Sequence, residues 1–394
     1  MNVLLIANRR PDPRGKGDAK IAWQVQAALE SEGRSVLLKV PSAVNPVSKT
    51  ISATAALLSG EPLQVGVTRS RRLRREIDEI LQRNDIDVIV AVHTRTAHYV
   101  PKERRSRAIA FLYDSCALGY ATYAGRLPYW KDAIFRVEQR RMMRFERTVL
   151  TQFHRVAVLA QPDLRYLASL SSLPSALVRV PYAVDIAYFS QTVRRPVADP
   201  PLFIFVGQLG YIPNQDAVRQ LVSRVWPVIR RRWPRARLRV VGAGPGRDLR
   251  ALLKSRDVEL AADVADVRTE LEDATALLVP MRLGTGVQTK VLEAMAAGVP
   301  VICSRFANSG IEAAEGEHLL VADTPQEYVA RAEELIQDAA FAESLTARAR
   351  SWVNAEHAPN VFNTSFMRAY GEVARQPVAR VTTPIAQAQR LGAG

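Results

Sequence analysis

Short apolar runs recur along the chain at residues 3–7, 35–40, 87–92, 108–112, 155–159 and 176–180, then at 202–206, 237–241, 258–260, 276–279, 300–303 and 318–321. Helical patterns lie between them. Ile21, Val25, Ala28 and Leu29 share one face, and Gly33 stands where that helix would end. Strands this apolar need cover on both faces, which parallel sheets receive from the helices joining their strands. The pattern demands an α/β architecture and, at 394 residues, more than one core. Residues 191–201 interrupt it with Pro196, Pro200 and Pro201 and read as a linker. The expected organisation is a Rossmann-like domain over 1–190, that linker, a second Rossmann-like domain over 202–358, and a helix over 359–375 crossing back to the first domain. Residues 376–394, rich in Ala, Pro, Thr and Gln, are expected to be disordered. Ligands of doubly wound sheets collect at the carboxyl ends of strands, so the cleft between the domains is the expected site.

Composition removes several classes. A hydrophobic content of 48% suits globular cores that need no disulfide staples. Cys116 and Cys303 lack metal-ligand spacing and fit a reducing compartment. The apolar start is too short for a signal peptide and precedes its charges, and no run approaches the ~20 residues of a membrane span. The expected location is the cytoplasm, or the inner face of the cell membrane. A net charge of +15 is concentrated in Arg69, Arg71, Arg72, Arg74 and Arg75, and in a helical stripe of Arg136, Arg140, Arg144 and Arg147. Nucleic acid, anionic lipid and phosphorylated substrates fit such charge, and so does a solvated face. No nucleic-acid-binding motif accompanies the arginines, so specific nucleic-acid binding is not expected and an anionic membrane surface is preferred.

The chemistry concentrates near residue 290. Gly284, Thr285 and Gly286 lead through Val287, Gln288 and Thr289 into a helix with Lys290 in its first turn and Glu293 in its second. Free N–H groups at a helix start, the helix dipole and a lysine suit phosphates. A carboxylate one turn on accepts two hydrogen bonds and suits a ribose diol. The spacing fits a nucleoside diphosphate; the alternative is a tight loop before a packing helix. Gly242, Gly244 and Gly246 imitate a dinucleotide fingerprint, but its third glycine would fall on Arg247. That run reads as a tight turn. Gly207 and Gln208 end the first strand of the second half, where glycine lets backbone approach a ligand. Asn214 or Asp216 would cap the helix that follows.

The second half resembles the nucleotide-sugar domain of family 4 glycosyltransferases with the GT-B fold, including the bacterial sugar transferases of exopolysaccharide clusters. The residues are Phe205-Val206-Gly207, Tyr211-x-Pro213-Asn214-x-Asp216-Ala217, Val264-x-Asp266-Val267-Arg268, Pro280-x-Arg282, the run 286–296, and Gly298-Val299-Pro300-Val301. In the first half, Pro11-x-Pro13 with Lys16-Gly17-Asp18, Tyr113-Asp114-Ser115, Phe145-Glu146-Arg147 and Val180-Pro181-Tyr182-Ala183-Val184-Asp185 agree. The resemblance implies two Rossmann-like domains facing across a cleft, and sugar transfer from a nucleoside diphosphate donor to a glycan, glycolipid or other acceptor of bacterial polysaccharide or envelope synthesis. It implies retention of anomeric configuration, no permanently bound cofactor and no metal.

Donor contacts are expected from Gly207, Gln208, Val264, Asp266, Gly284, Thr285, Gly286, Val287, Gln288, Thr289 and Glu293. Lys290 and Arg282 are expected to stabilise the leaving diphosphate. Thr285 stands where the family often has a glutamate near the donor sugar. On the acceptor side, Lys16, Gly17 and Asp18 are expected at the cleft, with Asp18 alternatively a helix cap. Asp114 would orient or deprotonate an acceptor hydroxyl, or bond a loop. His93 would be a catalyst or a satisfied turn residue. The other readings are a basic nucleic-acid-binding protein and a GT-B-fold nucleotide-sugar epimerase.

Overall fold

The structure, a computed structural model, describes residues 1–41, 46–126, 128–171, 176–194 and 199–377. Residues 195–198 of the expected linker and the tail from residue 378 lie outside the described residues.

The first sheet contains β1 (Asn2–Ala7), β2 (Ser35–Lys39), β3 (Val88–Val92), β4 (Ala108–Tyr113), β5 (Arg155–Val158) and β6 (Leu177–Arg179), in the order β2-β1-β3-β4-β5-β6. The second contains β7 (Leu202–Val206), β8 (Arg237–Gly242), β9 (Glu259–Ala262), β10 (Ala276–Val279), β11 (Val301–Cys303) and β12 (Leu320–Val321), in the order β12-β11-β10-β7-β8-β9. All these pairings are parallel. Each apolar run of the sequence forms a strand. The last is shorter than expected because His318 turns back, its N–H bonding the Ala314 carbonyl.

Central strands are covered on both faces: every residue of β3 is buried, and so are Val3 through Ala7 of β1. Helix α1 (Gly17–Ser31) contributes Ile21, Val25, Ala28 and Leu29 to this cover. It ends as Gly33 takes φ +67 and Arg34 N–H bonds back to the Leu29 carbonyl. In each sheet the connections reverse direction at one place, between β1 and β3 and between β7 and β10. Loops leaving the carboxyl ends there diverge, which leaves room for a ligand.

Three further helices matter below: α2 (Tyr129–Gln152), α3 (Thr289–Ala297) and α4 (Pro359–Ala374). The last leaves the second lobe and packs against α1 and β4 of the first. Phe362 and Phe366 lie with ring centroids 6.1 Å from that of Phe111. The Arg155 guanidinium donates to Glu372 at 2.5 Å, and Arg107 donates to the Ala374 carbonyl. Since Phe366 is fully buried, Phe366→Ala should destabilise the protein by about 3–5 kcal/mol, read as a lower midpoint in urea unfolding. An unchanged midpoint would mean that α4 does not hold the first lobe.

Candidate active site

The loop before α3 owes its path to two glycines: Gly284 has φ +110 and Gly286 φ +70. Helix α3 then runs nine residues to Gly298, whose φ of +74 ends it. At its start Thr289 N–H bonds the Val287 carbonyl and Val291 N–H the Gln288 carbonyl, so the loop and the first turn form one hydrogen-bonded unit.

Lys290 is positioned by a chain of small requirements. A side chain on Gly207 would stand 2.9 Å from Asn214 Nδ2, so glycine there admits the Asn214 side chain. Asn214 donates to the Gln208 carbonyl and accepts from Lys290 Nζ at 2.7 Å. Lys290 Nζ also reaches Gln288 Oε1 at 3.2 Å and Met281 Sδ at 3.8 Å, and lies 5.4 Å from the Phe205 ring centroid. All these neighbours are uncharged. The residue keeps some exposure, but crowding of protein around the ammonium group pulls its pKa down to about 8, opposed by Glu293 one turn on. Asn214 and Asp216 do not cap their helix, because it begins at Ile212 and both fall inside its first turns.

Arg282 differs from expectation. Its guanidinium is held by both Asp216 oxygens at 2.8 Å, so it offers no unpaired charge to a phosphate. Asp266 is likewise occupied. It accepts from Arg268 and from the Tyr188 hydroxyl at 2.6 Å, and these bonds hold its carboxyl well below the usual range. Val264 beside it lines a cavity of about 300 Å³ with Ala265, Lys20, Tyr188, Phe362 and Glu293. That volume is at the lower end for small-molecule sites, which run ~300–1,000 Å³.

Several groups of the second lobe are engaged by the first. Glu293 Oε1 accepts from Lys20 Nζ of α1 at 2.5 Å. Burial lowers the Lys20 pKa, but Glu293 and Tyr182 outweigh it and the net shift is upward. Gly286 N–H donates to Asp163 Oδ2 at 3.1 Å, Gly284 N–H to Thr122 Oγ1 at 3.0 Å, and Arg126 to the Arg282 carbonyl at 2.9 Å. Thr285 Oγ1 lies 3.3 Å from Asp114 Oδ2. Asp114 itself sits in an acidic pocket. Burial, then Asp163 and Glu146, raise its carboxyl well above the usual range. Glu146 accepts from Ser115 Oγ at 2.8 Å and from Ala117 N–H, yet burial still pushes it up to about 8.

On the acceptor side, Lys16 is exposed at the start of α1 and Gly17 has open space beside it. Asp18 is not a cap: it accepts from Asn8 at 2.6 Å and Arg9 at 2.8 Å, tying the loop after β1 to α1. His93 is buried at the end of β3 with φ +87. Its Nδ1 accepts from Arg95 N–H, and burial, then Arg95 and Arg9, push its pKa well down, so it is neutral.

Sequence reasoning missed Lys20 and Asp163, and gave Asn214 a place in the resemblance and a capping role but no contact with Lys290. Lys20 falls one helical turn after Lys16, which was the available signal; Asp163 reads locally as an ordinary first-turn residue of the helix Gln161–Leu170.

Residues 200–338 match the family model described as glycosyl transferases group 1. No curated protein sequence matches the chain. Among solved structures, a sucrose-phosphate synthase from Thermosynechococcus elongatus is similar with TM-score 0.70 and 15% identity, over 94% of this chain and 98% of that one. HepE from Anabaena, solved with UDP and glucose, gives TM-score 0.63 and 12% identity over 94% and 100%. The trehalose-6-phosphate protein of E. coli, bound with UDP-2-fluoro glucose, gives TM-score 0.63 and 12% identity over 96% and 100%. Likeness at such identities speaks to the fold, and the family match speaks to the second lobe that carries α3. The chain thus has two doubly wound sheets in the GT-B arrangement, and residues 200–338, which include the loop before α3, match the group 1 glycosyl transferases.

Proposed function

We propose that the protein transfers a sugar from a nucleoside diphosphate to a glycan or lipid-linked acceptor in bacterial polysaccharide or envelope assembly. In this reading the transfer retains anomeric configuration and needs no metal ion. Residues 202–358 hold the donor and residues 1–190 the acceptor. The enzyme works in the cytoplasm, at the inner membrane surface where its acceptor is lipid-linked. The observation that carries the reading is Lys290. An ammonium group enclosed at a helix start, bonded only to uncharged neighbours, is a cation placed to meet an anion.

The diphosphate would lie on the amides at the start of α3 and on Lys290. The ribose would lie on Glu293, and the base in the cavity beside Val264. Binding would exchange Lys20 for the ribose diol at Glu293, and Asp163 for a phosphate oxygen at the Gly286 amide. In the reaction the bond from the anomeric carbon to the phosphate oxygen breaks, its electron pair leaving with the diphosphate. The acceptor oxygen bonds to that carbon and loses its proton. Lys290 and the α3 dipole stabilise the departing charge. Asp114, 3.3 Å from Thr285 Oγ1 with its carboxyl raised by burial, would orient the acceptor hydroxyl, whose proton would leave with the departing diphosphate. The solved HepE and E. coli structures contain UDP or a UDP sugar, which favours UDP as the first nucleotide to try.

UDP at about a hundredfold over its Kd should stabilise the protein by about 2.7 kcal/mol, seen as a rise in Tm. Lys290→Ala and Glu293→Ala should each remove most of that rise, and Lys290→Ala should cut turnover by roughly 10²–10³. A full UDP shift in both variants would refute the assignment of this site.

The pH dependence has a definite sign. Lys290 in the free protein loses its proton above about 8, whereas a bound diphosphate would hold the proton on. Binding should therefore take up a proton above pH 8, and affinity should fall there by about tenfold per pH unit. Calorimetry across that range should show the fall in the native protein and its loss in Lys290→Ala. Constant native affinity to pH 9.5 would contradict the role given to Lys290.

A further inference from the structure

The exposed apolar surface of the first lobe is concentrated at the start of α2. Tyr129 is 90% exposed, Trp130 62%, Ile134 50% and Val137 47%. Trp130, Ile134 and Val137 follow a spacing of four and three residues, so they form one stripe. Farther along the helix, exposed Arg140 and Arg144 continue that face, and exposed Lys131 lies beside the Trp130 ring at 5.1 Å. Among the described residues no carboxylate pairs with Lys131, Arg140 or Arg144, whereas Arg136 and Arg141 are paired with Asp132 and Glu138. The helix Pro46–Ser59 extends the apolar surface. Its Leu57 carbonyl accepts from Arg141, and its Leu58 is 85% exposed.

The other basic cluster lacks this character. Arg69, Arg72 and Arg74 are paired with Glu61, Glu76 and Asp78, and no large apolar side chain is exposed on the helix Arg71–Arg83. The two arginine clusters look alike in sequence, but only α2 joins unpaired cations to aromatic and aliphatic side chains.

We propose that this face of α2 docks on an anionic lipid surface, with Trp130, Ile134 and Val137 entering the headgroup–acyl boundary and Lys131, Arg140 and Arg144 meeting lipid phosphates. The proposal rests on the glycosyltransferase reading only in giving the docked enzyme a lipid-linked acceptor. A second copy of the chain is a poorer occupant. A two-fold contact across this face would gather the unpaired Lys131, Arg140 and Arg144 of two chains, each of net charge +15, into one interface, whereas anionic headgroups neutralise them. Among the described residues no helix is long and apolar enough to cross a membrane, so the face would lie in the interface rather than span it. Docking also has a geometric consequence. The turn leading into α2 carries Thr122 and Arg126, which bond Gly284 and Arg282 beside α3. The lipid-facing helix is therefore continuous with the contacts that hold the donor loop.

The test is sedimentation of the full chain with vesicles of equimolar phosphatidylglycerol and phosphatidylcholine, against pure phosphatidylcholine, at ~0.1 M salt. Native protein should sediment with the anionic vesicles and little with the neutral ones. The double variant Trp130→Ala with Ile134→Ala should partition at least about tenfold more weakly. The double variant Arg71→Ala with Arg75→Ala should bind as the native protein does. Trp130→Phe should remove most of the blue shift in tryptophan emission on adding anionic vesicles. All variants should keep the UDP response, which separates failure of docking from failure of the donor site. The proposal is overturned if native protein ignores anionic vesicles, if the Trp130/Ile134 variant binds undiminished, or if the Arg71/Arg75 variant is the one that loses binding. It is also overturned if the native protein is a dimer that the Trp130/Ile134 variant dissociates.

Discussion

An enclosed ammonium group without a carboxylate partner is costly, because water is stripped from it and only dipoles replace the loss. Lys290 is in that position, and much of the second lobe exists to keep it there. Gly207 has no side chain so that Asn214 can enter. Asn214 turns its amide oxygen to Nζ rather than capping its helix. Gly242, with φ +152, lets the loop after β8 approach so closely that a side chain there would overlap the Gly207 carbonyl. The glycines that imitate a dinucleotide fingerprint thus serve a neighbouring loop. The arrangement makes sense if an anion completes it, since a negative ligand restores the interaction that burial removed.

The first lobe supplies the counterweights. Lys20 neutralises Glu293, and Asp163 accepts the Gly286 amide, so groups suited to ribose and phosphate have polar partners of the right sign from across the cleft. These bonds hold the lobes together through the residues that the proposed donor would use. A ligand at the α3 loop would therefore replace interlobe bonds, and its net affinity would be the difference between two sets of polar contacts rather than the sum of one.

What was legible in the sequence followed the range of the interactions. Strands and α1 were readable because burial on two faces and helical amphipathicity are local patterns. Gly284, Gly286, Lys290 and Glu293 were readable as a group because one loop and one helix turn carry them. The partners were not. Lys20 stands 273 residues from Glu293 and Asp163 stands 123 from Gly286, and no local pattern encodes such pairs. Arg282 shows the same gap in reverse. Its charge was visible, but its neutralisation by Asp216, 66 residues earlier, required the fold. The two arginine clusters differ for the same reason, since pairing decides which cations remain available.

The acidic group at the cleft adds a constraint on how the lobes meet. Asp114, Glu146 and Asp163 are buried together, and three carboxylates cannot all ionise cheaply in that space. Glu146, at about 8, stays protonated near neutral pH and so relieves part of the repulsion. Asp163 is the member best placed to carry charge: burial pushes it up only to about 6, held there by the backbone N–H groups of Ser115 and Gly286. If the Gly286 amide turned to another acceptor, Asp163 would keep one of those two donors and its affinity for a proton would rise. The protonation of this group is thereby tied to whatever occupies the α3 loop, through a single backbone N–H shared between the lobes.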